Sequence, residues 1–114
     1  MSYSEKLASR IRAALTHLPE VKEKRMFGGL AFMVDNKMCI TIGVDRIMCR
    51  IDPAFYDEAI KKDGCSTVVM RGRAYKGFVY VSEDSIQSEK DCNDWLTLAV
   101  EYNKIAKASK KRAK

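Results

Sequence analysis

Five cations near the ends of strand-like runs, Arg25, Arg50, Arg71, Arg73 and Lys76, are interleaved with Phe27, Tyr75, Phe78 and Tyr80. Cationic side chains neutralise phosphates and aromatic rings stack on bases, so this composition is one that holds single-stranded nucleic acid. The same residue types also populate the solvent side of an ordinary sheet, where arginines pair with acids such as Asp52 or Glu83. Residue type alone leaves both readings open.

Gly28-Gly29 raises a related question. Glycines let backbone N–H groups approach an anion, yet neither G-x-x-x-x-G-K-[ST] nor G-x-G-x-x-G is present, and the residues after Gly29 read as a strand. Paired glycines in a strand mark a bulge or the close approach of another element. The candidate binding surface is therefore Arg25, Phe27, Gly28, Gly29, Arg50, Arg71, Arg73 and Lys76.

Nucleophilic catalysis needs a base beside the nucleophile, and the chain has 1 histidine, His17, at the polar end of the first helix, where a cation complements the helix dipole. Cys39, Cys49, Cys65 and Cys92 lie 10, 16 and 27 residues apart, matching neither a C-x-x-C redox pair nor a zinc knuckle. They read as reduced, structural thiols, in keeping with a reducing cytosol. Asp57-Glu58 and Glu83-Asp84 are adjacent carboxylates, which point in different directions and do not flank one substrate. No catalytic residue, cofactor or metal is assigned.

The net charge of +6 is localised. Lys104, Lys107, Lys110, Lys111, Arg112 and Lys114 occupy residues 104–114 without an acid, so the remaining 15 basic residues balance the 15 acidic ones. Such a tail contacts phosphate backbones without reading sequence, or it is a frayed, solvating chain end. The expected division is a domain over residues 1–103 and a basic tail over 104–114. With 114 residues, 46% of them hydrophobic, one core is expected. No run approaches the roughly 20 apolar residues of a membrane span, so the expected location is cytoplasmic, with no membrane partner.

The elements follow from periodicity. Leu7, Ile11, Leu15 and Leu18 predict a helix over about 4–17, with a capping box at Ser2 and Glu5 and a stop at Pro19. Residues 20–24 read as a charged linker. Leu30, Phe32 and Val34, then Met38, Ile40 and Ile42, then Ile47, Cys49 and Ile51 alternate, predicting three strands broken at Asp35-Asn36 and at residues 43–45. Asp52-Pro53 opens a second helix and Gly64 closes it. Residues 67–70 and 77–82 read as two more strands around Arg71-Gly72-Arg73. A last helix begins near residues 88–90 and carries Trp95, Leu98, Ala99, Tyr102, Ile105 and Ala106 as its apolar stripe. The expected fold is a two-layer α+β domain: a five-stranded antiparallel sheet with helices on one face, in the order α-β-β-β-α-β-β-α.

Arg25-Met26-Phe27-Gly28-Gly29-Leu30-Ala31-Phe32-Met33, followed by Lys37-Met38-Cys39, resembles the N-terminal domain of the TfoX/Sxy competence regulators, above all its stand-alone members. Residues 71–81, R-G-R-A-Y-K-G-F-V-Y-V, resemble that family's next segment, and the helix around Trp95 falls where its closing helix would. The resemblance implies an α+β domain with an antiparallel sheet, linked to transcriptional control of DNA-uptake genes, with no catalytic residues to transfer. The full-length regulators carry a second, C-terminal domain, whereas this chain ends after its basic tail.

Two functions follow as expectations. One is a non-catalytic module that binds a protein partner, a second copy included, through the open sheet face or the Gly28-Gly29 strand. The other is nucleic-acid association through the tail, helped by Arg71, Arg73 and Lys76.

Overall fold

The structure is a computed structural model and describes residues 3–18, 20–26, 28–70 and 72–105. Ser2, Pro19, Phe27, Arg71, Ala106 and the tail cations Lys107, Lys110, Lys111, Arg112 and Lys114 lie outside the described residues.

Ser4 opens the first helix: its hydroxyl accepts the Leu7 N–H at 3.2 Å, satisfying one of the donors that a helix start leaves free. Helix α1, Glu5–Ala14, buries Leu7, Ala8 and Ile11. Six strands follow among the described residues: β1 Val21–Met26, β2 Gly29–Val34, β3 Lys37–Ile42, β4 Arg46–Arg50, β5 Cys65–Met70 and β6 Arg73–Ser82. Between β4 and β5 the carboxylate of Asp52 caps Ala54 N–H at 2.9 Å and starts a 3₁₀ turn, Pro53–Phe55, that runs into the short helix α2, Tyr56–Ala59. A second 3₁₀ turn, Glu83–Ile86, leads to α3, Glu89–Asn103, capped by Ser88 on Asp91 N–H.

The sheet has the order β1-β2-β3-β4-β6-β5, antiparallel throughout. The expected sheet had five strands; the sixth is β1, which falls on the supposed charged linker. Its sequence, V-K-E-K-R-M, lacks apolar alternation because it is an edge strand paired only with β2, and charges on an edge deter pairing with other chains. The β2–β3 hairpin turns at Asp35 and Asn36, both left-handed at φ 55° and 64°, as a two-residue turn matched to strand twist requires.

The three helices pack on one face. Leu7 and Ile11 of α1, Tyr56 and Ala59 of α2, and Trp95, Leu96 and Ala99 of α3 join Leu30, Phe32, Ile40, Ile42, Ile47, Cys49, Val79 and Val81 in one core. Met38 departs from the expected alternation. Phe32 faces Ile40 while Met33 faces Met38, so Cys39 is an extra residue that bulges toward the core and turns Met38 to the opposite face. Helix α3 is also rotated from the expected stripe: Cys92, Leu96 and Asn103 are buried with Trp95 and Ala99, while Ile105, beyond the helix, is 71% exposed.

One ion pair ties α1 to the edge strand. Arg12 Nε and Nη2 donate to the two carboxylate oxygens of Glu23 at 2.6 and 2.8 Å. These hydrogen bonds hold the Glu23 carboxyl below its ordinary value of 4.5, against the opposing effect of burial. A depressed folded value means that the pair's stabilisation is complete above pH 4.5 and is lost as pH falls through the lower folded value. Glu23→Gln is therefore expected to lower the unfolding midpoint modestly at neutral pH, as partly exposed pairs do, and the gap to the parent should close in acid; chemical denaturation across pH measures it.

Candidate functional site

Strand register sorts the side chains onto two faces. Leu30, Ile42, Ile47, Val81 and Cys65 form one row across the sheet, continued on β1 by Arg25, and belong to the helix side. Lys24, Ala31, Thr41, Met48, Tyr80 and Ser66 form the adjacent row, on the face without helices. On that face Met38, Met48 and Val68 are buried, and Met33, Phe78 and Tyr80 pack partly buried against them. Thr41 Oγ1 donates to the Met38 sulfur at 3.5 Å.

Around this apolar centre stand exposed cations. Lys22 pairs with Met33, Lys24 with Ala31, and Arg46 lays its guanidinium over the Tyr80 ring, 3.6 Å from the centroid. Glu23 is the only acid in the six strands, and it points to the helix side, toward Arg12. The helix-free face is therefore apolar at its centre, and the charged strand residues on it are all cations.

The candidate surface read from the sequence does not come together as one patch. Arg25 belongs to the helix side of edge strand β1, where its guanidinium lies 5.5 Å from the Tyr3 ring. Arg73 and Lys76 sit on the β5–β6 hairpin, at the opposite edge and the opposite end of the strands. The described cations Arg25 and Arg73 thus mark diagonally opposed corners of the sheet. Arg50, paired with Phe78, reaches the end of α3, 5.8 Å from the Tyr102 ring, and beside it Lys37 Nζ donates to Asn103 O at 2.6 Å. Two cations at a helix C-terminus complement its dipole, which gives both a packing role.

Gly28 and Gly29 have separate reasons to be glycine. Gly28 turns the β1–β2 hairpin at φ 72°. At Gly29 a Cβ would lie 2.2 Å from the Ile42 carbonyl oxygen of the neighbouring strand. The β2 strand that carries Gly29 is paired on both sides, so it is no edge for a partner strand.

Other chemistry is thinly represented. Burial pushes the Cys39 thiol up to about 12 and the Cys65 thiol to about 11, raises Cys92, and drives Cys49 well above its usual range, which keeps these groups as unreactive thiols at neutral pH. No cluster of metal-ligating side chains occurs among the described residues. A cleft of about 420 Å³ beside Trp95 is lined by Asp63, Asp84, Asp91 and Asp94. All four carboxylates are solvent-exposed, unlike the shielded acids that general acid–base work requires. His17 is exposed just after α1.

Sequence reasoning missed the rim residues Lys22, Lys24 and Arg46 and the methionines at the centre. For Met33, Arg46 and Met48 the signal was present in the opposite parity of strands whose other parity was read as core; Lys22 and Lys24 fell in the supposed linker, and Met38 was placed on the core side. Among the described residues, no helix is long and apolar enough to cross a membrane. The family model of the TfoX N-terminal domain matches residues 13–102 of the 114, so the chain belongs to that family. No curated protein and no solved structure matches it.

Proposed function

We propose that this TfoX N-terminal domain is a non-catalytic binding module that docks an acidic surface of a partner protein on its helix-free sheet face, within transcriptional or competence-type regulation. The observation that carries this reading is the arrangement of that face, with Met33, Met38, Met48, Val68, Phe78 and Tyr80 beside Lys22, Lys24 and Arg46. Methionines adapt their shape to a partner, and a rim of one sign steers acidic partners and rejects basic ones. Family membership supports the regulatory setting.

The same face is less suited to stacked bases. Arg46 already covers the Tyr80 ring, and Phe78 is half-buried among its neighbours. A platform for single strands needs open ring faces. The tail cations from Lys107 onward remain the basis for a nucleic-acid contact, as a separate and non-specific term.

The test is affinity capture from native lysate with the parent chain and with a Lys22→Glu, Lys24→Glu, Arg46→Glu variant, each with and without nuclease. The expected result is that proteins captured by the parent are lost from the variant, survive nuclease and weaken with salt. Capture indifferent to these three charges would overturn the reading, as would capture that nuclease abolishes.

A further inference from the structure

The two edges of the sheet differ sharply. β1 carries Lys22, Glu23, Lys24 and Arg25 within six residues, whereas β5 reads C-S-T-V-V-M, with no charge, no proline and no glycine. Charges on an edge deter pairing with another strand, and their absence from a β-branched edge permits it. Hydrogen bonding shows which groups of β5 are open. Ser82 N donates to Gly64 O at 3.0 Å, so Gly64 and Ser66 turn their backbone toward β6 while Cys65 and Thr67 turn theirs outward. Past the register shift, Met70 closes the hairpin with Arg73, which leaves Val69 outward as well. Cys65 N–H is taken by Lys62 O; among the described residues, Thr67 and Val69 make no backbone hydrogen bond outside the β5–β6 ladder.

Apolar exposure gathers at the same edge. Of the exposed large apolar side chains among the described residues, Val69 (57%) lies on β5 and Tyr75 on β6 opposite the register shift. Ile60, also exposed, is one helical turn from Tyr56, whose hydroxyl bonds the Thr67 hydroxyl.

We infer that β5 pairs antiparallel with β5 of a second copy of this chain, joining two sheets into one. With the two-fold axis at Thr67, each Thr67 faces its own copy, Ser66 faces Val68 and Cys65 faces Val69. No charge in the strand meets a like charge, as it would if β1 paired with itself. Thr–Thr and β-branched cross-strand pairs are favourable. The occupant is a second copy because this strand is neutral, uninterrupted and complementary to itself, with apolar side chains beside it that a symmetric partner covers. This surface is distinct from the helix-free face, so either assignment can fail alone.

The experiment is the solution mass of the purified chain over a range of concentrations, by light scattering and sedimentation. Val69→Lys is compared with Val44→Lys, which adds the same charge at a 64% exposed position between β3 and β4. The expected result is a dimer whose dissociation constant Val69→Lys raises by about tenfold or more, because each new ammonium is set against Cys65 of the second copy inside the seam, while Val44→Lys leaves it near the parent value. Unchanged circular dichroism and melting certify the fold of both variants. Independently of any variant, the Thr67 and Val69 amides should exchange more slowly as the parent chain is concentrated, and the outward amides of Glu23 and Arg25 on β1 should not. A mass of one chain at every concentration overturns the inference. So does an association that both variants leave alike, or protection that gathers on the helix-free face.

Discussion

Trp95→Ala is expected to destabilise the domain by about 3 to 5 kcal/mol, the range for truncating a buried large aromatic side chain. Trp95 is 5% exposed and stands midway along α3, flanked by Cys92, Leu96 and Ala99 in the same core. The helix lies across β3 and β4, the central strands, and so closes the core over the middle of the sheet. Alanine leaves a void that β3 and β4, each paired on both sides, have little freedom to collapse. For a domain of this size, the unfolding midpoint should fall by well over about 10 °C. Ile105→Ala is the matched control, because Ile105 is 71% exposed and its removal should stay within about 0.5 kcal/mol. Thermal and urea unfolding of the two variants measure both effects; a near-neutral Trp95→Ala would mean that α3 is not where the core is closed.

That contrast marks the limit of helical periodicity as a guide. Steps of three and four residues fit both the expected stripe of Trp95, Leu98, Ala99, Tyr102, Ile105 and Ala106 and the buried set of Cys92, Trp95, Leu96, Ala99 and Asn103; the two share Trp95 and Ala99, Leu98 packs half-buried against the core, and Ile105 is exposed. The choice is made by tertiary contacts: packing on the sheet buries Cys92, Leu96 and Asn103 with Trp95 and Ala99, and Lys37 and Arg50 meet the C-terminal end of the helix at the Asn103 carbonyl and the Tyr102 ring. A reading by hydrophobicity prefers Ile105 to Asn103 and so turns the helix the wrong way.

The strands were legible where large apolar residues recur at every second position. Leu30, Phe32 and Val34 alternate cleanly, and Asp35-Asn36 supplies the left-handed turn that the register demands. β1 was hidden because its role as an edge demands charge on both faces, and composition then resembles a linker. The bulge at Cys39 was hidden for a different reason: Met38, Ile40 and Ile42 alternate cleanly in K-M-C-I-T-I, so nothing in the residue types shows that Cys39 is extra. The candidate surface fared similarly. Its residues were chosen for charge and ring content along the chain, but strand order sends Arg25 and Arg73 to opposite corners, while Lys22, Lys24 and Arg46, separated in sequence, share one face.

The second large effect is expected at Gly29. In Gly29→Ala the new methyl would sit 2.2 Å from the carbonyl oxygen of Ile42, a backbone atom at the end of β3 whose residue is paired with both neighbouring strands. A flexible side chain could yield; this carbonyl cannot move without separating β2 from β3. The expected loss is about 3 kcal/mol or more, the upper end for overpacking. Gly28→Ala makes a controlled comparison, since its Cβ meets nothing within 4 Å and the penalty comes from φ 72° alone, about 1 to 2 kcal/mol for an L-residue in the left-handed region. Denaturant unfolding of the two variants should show that order. If both were instead near-neutral to stability while capture of a partner was lost, the glycine pair would belong to a binding surface. The predicted order would assign the glycine pair to sheet construction, so that the most distinctive run in the chain, R-M-F-G-G-L-A-F-M, marks chiefly how β1, β2 and β3 are assembled, with Met33 at its end packed on the helix-free face.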